Sequence, residues 1–62
     1  MRFDVIEGRS DVVVRALTCS TLDEAVGIVE KISRKSNVLI TQVGDDHMDV
    51  LYCRCGEENK EN

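Results

Sequence analysis

The chain has 62 residues, no Pro or Trp, and one Phe and one Tyr, so it is one small domain whose core has to come from Val, Ile, Leu and Ala. No apolar run approaches the roughly 18 residues of a membrane span. A formal charge of −4 argues against non-specific nucleic-acid binding, which depends on neutralising phosphates.

Residues 2–7, RFDVIE, alternate, with Phe3 and Val5 on one face and Arg2, Asp4 and Ile6 on the other. Gly8-Arg9-Ser10 reads as the turn of a hairpin. The second strand, DVVVRALT from Asp11 to Thr18, is almost continuously apolar. Its expected register turns Val12, Val14 and Ala16 toward the core and leaves Val13, Arg15 and Leu17 outside. The opposite register would bury Arg15, which is costly without a partner.

Residues 21–35, TLDEAVGIVEKISRK, form the predicted helix. Thr21 and Glu24 match a reciprocal capping box. Asp23 and Glu24 suit the positive end of the helix dipole, and Lys31, Arg34 and Lys35 the negative end. Asn37 is the expected stop. Leu22, Ala25, Val26, Val29 and Ile32 make the apolar stripe, with Ile28 off it. Gly27 has two readings: a site of close approach by the sheet or a partner, or a tolerated glycine on a flank, costing roughly 1 kcal/mol relative to Ala.

Asn37 to Val43, NVLITQV, is a third strand, with Val38, Ile40 and Gln42 opposed to Leu39, Thr41 and Val43. Gly44-Asp45-Asp46 is a turn. In the fourth strand, HMDVLYCRC from His47 to Cys55, simple alternation puts Met48, Val50, Tyr52 and Arg54 on one side. His47, Asp49, Leu51, Cys53 and Cys55 fall on the other. The order is ββαββ, an α+β domain over residues 1–56 with a four-stranded, mainly antiparallel sheet and one helix packed on one face. Residues 57–62, EENKEN, are expected to be a disordered acidic C-terminal tail. Several strands are apolar on both sides, so the sheet face away from the helix is expected to be covered by a second copy or a partner.

Charge is uneven. Residues 1–44 carry six acids and six bases, and residues 45–62 carry six acids and two bases, so the whole net charge lies in the last third. The start, MRFDVIEGR, lacks the apolar centre of a signal peptide, and a cytoplasmic protein with free thiols is expected.

Cys19, Cys53, Cys55 and His47 are types that bind zinc, but a C-x-C strand is not a zinc knuckle, and six extended residues separate His47 from Cys53 by roughly 20 Å. Asp45, Asp46, His47 and Asp49 lack the spacing of a calcium loop and read as a solvated turn. Nothing local activates Cys19 as a nucleophile. No catalytic residue, metal or cofactor is expected, and the chain does not read as an enzyme.

In size, acidity and compactness the chain resembles phage-encoded inhibitors of host proteins, including anti-CRISPR proteins. The resemblance is one of class and transfers no residue. It implies a viral inhibitor of a basic, nucleic-acid-binding host protein. The expected function is therefore a small acidic protein-binding module, acting as a homodimer on a partner with a basic surface. Its contact residues are taken as Asp45, Asp46, Asp49, Tyr52, Arg54, Glu57 and Glu58. Two alternatives stand beside it: a nucleic-acid-binding or regulatory module using the bases at the helix C-terminus, and a cysteine-based metal or redox module.

Overall fold

The structure, a computed structural model, describes residues 2–56. Its elements are β1 (Arg2–Arg9), β2 (Val12–Cys19), α1 (Leu22–Lys31), β3 (Asn37–Val43) and β4 (Met48–Arg54). The ββαββ reading holds, and the sheet runs β2-β1-β3-β4 with every neighbouring pair antiparallel. β2 and β3 both flank β1 and so run parallel to each other. Such strands need a crossover, and α1 provides it.

The first turn is Ser10-Asp11, one to two residues later than the sequence suggests. Both have positive φ (52° and 66°), the left-handed pair of a two-residue type I′ turn, whose twist suits a hairpin. Glu7 pairs with Arg15 but Gly8 with Val13, so Val14 is an extra residue in a bulge.

Cross-strand partners share a face. Phe3, Val5 and Glu7 pair with Cys19, Leu17 and Arg15 on one side and with Gln42, Ile40 and Val38 on the other. Beyond the bulge the second strand turns Arg15, Leu17 and Cys19 toward the helix side, the reverse of the expected register, whereas Val12, paired with Arg9, and Val13, paired with Gly8, keep their expected faces. The objection to burying Arg15 does not apply, because β2 is an edge strand. Its guanidinium stays 56% exposed and reaches Glu7 Oε1 at 3.3 Å.

The alternation of the fourth strand also breaks. Ile40 pairs with Tyr52 but Thr41 with Val50, so Leu51 is the extra residue. Tyr52 and Arg54 lie on the helix side, whereas Met48, Val50 and Cys53 share the far face with Val43, Thr41 and Leu39. His47 and Cys55 fall outside β4.

Thr21 caps α1 as expected, its Oγ1 accepting from the Glu24 N–H at 3.2 Å. The Glu24 carboxylate accepts from the Ser20 N–H at 3.0 Å, one residue before the N–H a reciprocal box would use. The helix ends at Lys31, well before Lys35. Ile32 turns extended (φ −83°, ψ 142°) to bury its side chain in the core. Ser33 Oγ accepts from the Lys35 N–H at 3.1 Å, a local bond that competes with helix continuation. Arg54 donates to the carbonyls of Ser33 (2.9 Å) and Ser36 (3.5 Å). Arg34 and Lys35 therefore lie in the connection, and Asn37 opens β3 instead of stopping the helix.

The buried core is Val5, Cys19, Ala25, Val29, Ile32, Val38 and Ile40, with Phe3 and Ile28 packed against it. The helix is rolled relative to the predicted stripe: Ile28 joins the core, while Leu22 and Val26 are each 43% exposed. A polar clamp ties the helix-to-β3 connection to β1. The buried Ser36 hydroxyl donates to Glu7 Oε2 at 2.6 Å and accepts from Arg9 Nε at 2.8 Å. The Ser36 hydrogen bond holds the Glu7 carboxyl below its usual pKa against the opposing effect of burial, with Arg15 and Arg9 adding to it.

Candidate protein-binding surface

Two apolar surfaces remain uncovered among the described residues. The first follows from where the helix sits. α1 packs on β1 and β2 and shares the buried core with Val38 and Ile40 of β3, so the open part of this sheet face is along β4. The result is a cleft of about 360 Å³ between α1 and β4. Leu22, Val26 and Val29 form one wall, Ile40 the floor, Leu51 and Tyr52 the other wall, and Glu30 stands at the rim. The bulge makes this possible, since it brings the consecutive residues Leu51 and Tyr52 to the same cleft.

The second surface is the sheet face opposite the helix. The registers gather Ile6, Ala16, Leu39, Val43, Met48, Val50 and Cys53 there, with Met48 62% and Val50 60% exposed. The charged residues the registers place on it, Arg2 and Asp4, pair with each other at 3.2 Å. Asp4 also accepts from the Thr18 hydroxyl at 3.2 Å. Thr41, in the middle of this face, is 2% exposed, and its hydroxyl oxygen has no hydrogen-bond partner among the described residues.

The expected contact residues do not form one cluster. Asp45, Asp46 and Asp49 are exposed at one end of β4. There His47 Nδ1 lies 3.0 Å from Asp46 Oδ1, and its Nε2 lies 3.8 Å from Asp49 Oδ2. The Gly44 N–H donates to the His47 carbonyl at 2.9 Å and closes the turn. Tyr52 lines the cleft, 42% exposed. Arg54 is at the far end of β4, roughly 20 Å along an extended strand from the acidic turn, where it holds the Ser33 and Ser36 carbonyls. Glu57, Glu58 and the tail 57–62 lie outside the described residues.

The cysteines are separate. Cys19 is buried at the end of β2, and burial first, then the charges of Glu24 and Asp4, push its thiol pKa up. Cys53 and Cys55 are exposed. Among the described residues no three His, Cys, Asp or Glu side chains are placed to hold a metal ion. Of the basic side chains expected to cluster at the helix end, only Lys31 lies in its last turn.

The cleft itself was not foreseen from sequence. Its signals were present: two consecutive large apolar residues at Leu51-Tyr52, and a helical stripe wider than the core can absorb. Locating it needed the strand order and the roll of the helix.

No protein-family model matches this chain, no curated protein matches it, and no solved structure matches it.

Proposed function

We propose that the protein is a non-enzymatic protein-binding module that works as a homodimer and engages a partner with a basic surface. One observation carries this reading. Among the described residues, seven hydrophobic side chains make the buried core, whereas nine large ones are at least 42% exposed. Exposed apolar surface in contiguous patches is the mark of an interaction site.

Charge assigns the occupants. The far sheet face holds one internal ion pair and no net charge, so a second copy can pack there without repulsion despite the overall −4. Four strands about 4.8 Å apart and some six residues long give a face of roughly 20 by 20 Å. Two such faces can stack as a sheet-on-sheet contact about 10 Å apart. The acidic turn at Asp45 and Asp46 and the rim of the cleft instead favour a basic partner. A partner whose basic surface normally grips nucleic acid would be blocked by such contact, which makes the module an inhibitor of that protein.

The test is affinity capture from cell lysate, followed by measurement with the purified captured protein. Binding that is lost in Asp45→Lys/Asp46→Lys and falls with rising salt supports the reading. Binding indifferent to both changes refutes it.

A further inference from the structure

The topology sorts the exposed charge by end. β1 finishes at one end of the sheet, where β4 also finishes and β3 begins. α1 carries the chain from the end of β2 to the start of β3, so it runs the same way as β1. Arg9, Lys31 and Arg54 therefore come to one end, and the connection after α1 adds the exposed Arg34 and Lys35. The opposite end receives Asp23 and Glu24 from the start of α1, and Asp45, Asp46 and Asp49 from the β3–β4 turn and the start of β4.

The chain is fastened to the basic end just before its acidic segment begins. The Gly56 N–H donates to Asn37 Oδ1 at 2.6 Å. A Cβ on Gly56 would run into the Lys35 carbonyl oxygen, so a glycine is needed for the chain to pass this close. Arg9 reaches the same place from β1, its Nε donating to Ser36 Oγ at 2.8 Å. The segment after Gly56 thus starts beside Lys35. Residues 57–62, EENKEN, carry three acids and one base. Six residues reach at most about 20 Å, and the stretch from Lys35 back to Lys31 spans at most about 14 Å.

We propose that segment 57–62 lies back over the basic connection from Lys31 to Lys35 and screens it, leaving the acidic turn at the other end as the charge a partner meets. The contacts are exposed ion pairs, individually weak and salt-sensitive, and they act together because the segment is tethered. The acidic turn of a second copy has the same sign. It would join copies end to end in an open series instead of a two-fold pair. It also has to be recruited from solution, whereas a short tethered segment acts at an effective concentration in the millimolar range. This cover stands or falls separately from the protein-binding reading.

The test compares the natural chain with Glu57→Gln/Glu58→Gln/Glu61→Gln, using inorganic polyphosphate as the probe. The control, Asp45→Asn/Asp46→Asn/Asp49→Asn, removes as many negative charges from the other end. Backbone spectra establish that each variant is folded. At low salt the glutamine variant should bind polyphosphate about three- to tenfold more tightly than the natural chain, and more tightly than the control. Adding Lys31→Gln and Lys35→Gln should abolish that gain. The amide resonances of Lys31 and Arg34 should differ between the natural chain and the glutamine variant at low salt and converge at about 1 M salt, where charges are screened beyond about 3 Å. Resonances at Lys31 and Arg34 that do not move, no gain in polyphosphate binding, or an equal gain in the control would each overturn the cover.

Discussion

Glu7 is the buried carboxylate on which the polar clamp turns, and its replacement is the sharpest test of how this thin domain is held together. The substitution Glu7→Gln keeps the shape and removes the charge. It weakens the 2.6 Å hydrogen bond from Ser36 and leaves Arg9 and Arg15 without their counter-ion. A hydrogen bond to a charged group contributes about 1.5–3 kcal/mol. The Arg15 contact adds at most about 1 kcal/mol, because that side chain is mostly in water. A loss of about 2 kcal/mol follows, a large fraction of the total of about 3–9 kcal/mol expected for a domain of this length. In a thermal scan it corresponds to a fall of about 8–16 °C.

The pH dependence has a definite sign. The folded pKa of Glu7 lies below its ordinary value of 4.5, so its contribution is complete above that value and disappears as pH falls through the lowered one. The gap between the natural protein and Glu7→Gln should be largest near neutral pH and narrow as the pH falls below 4.5 and through the lowered folded pKa. Urea unfolding followed by circular dichroism, at one fixed protein concentration because a dimer's apparent stability depends on it, measures the gap. Ser36→Ala made on top of Glu7→Gln should cost much less than Ser36→Ala alone. A gap that stays constant from neutral to acid pH, or additive effects of the two substitutions, would refute the clamp.

Other consequences are measurable on the same footing. A Cβ at Gly27 would meet nothing within 4 Å, so Gly27→Ala should raise stability by about 0.5–1 kcal/mol in the same unfolding assay; a loss would show that this flank is packed. Replacing Ser10-Asp11 by Asn-Gly should also stabilise, by about 1 kcal/mol, because both positions hold positive φ; destabilisation would contradict the type I′ turn. A thiol-reactive dye should label Cys55 rapidly and Cys19 only on unfolding, and rapid labelling of both would contradict the burial of Cys19.

How much of this was legible beforehand divides along physical lines. The helix N-terminus was readable because a cap is a local event: Thr21 and Glu24 are three residues apart and act alone. The faces of β1 and β3 were readable because the two pair without a register shift, so each side chain keeps the face that simple alternation gives it. The edge strands were not. Each carries a bulge, at Val14 and at Leu51, and one extra residue moves every later side chain to the other face. Burial cost alone misjudged Arg15, since whether it is buried depends on β2 being at the edge. The helix C-terminus was also misjudged, because the ending depends on Ile32 reaching the core and on Arg54, which arrives 22 residues later in the chain. The acidic turn was visible in the sequence, whereas the cleft exists only once β4 lies beside β3 and α1 is docked on the strands inside it.

The central claim is that the apolar surface this small core leaves outside is an interface, and solution mass tests it most directly. The chain weighs 7.0 kDa. Sedimentation equilibrium at micromolar concentration should give about twice that mass, and Val50→Asp, at a position 60% exposed on the far sheet face, should return it to the monomer without unfolding. A single 7.0 kDa species persisting to about millimolar concentration, or a dimer that Val50→Asp leaves intact, would contradict the assignment of that face to a second copy.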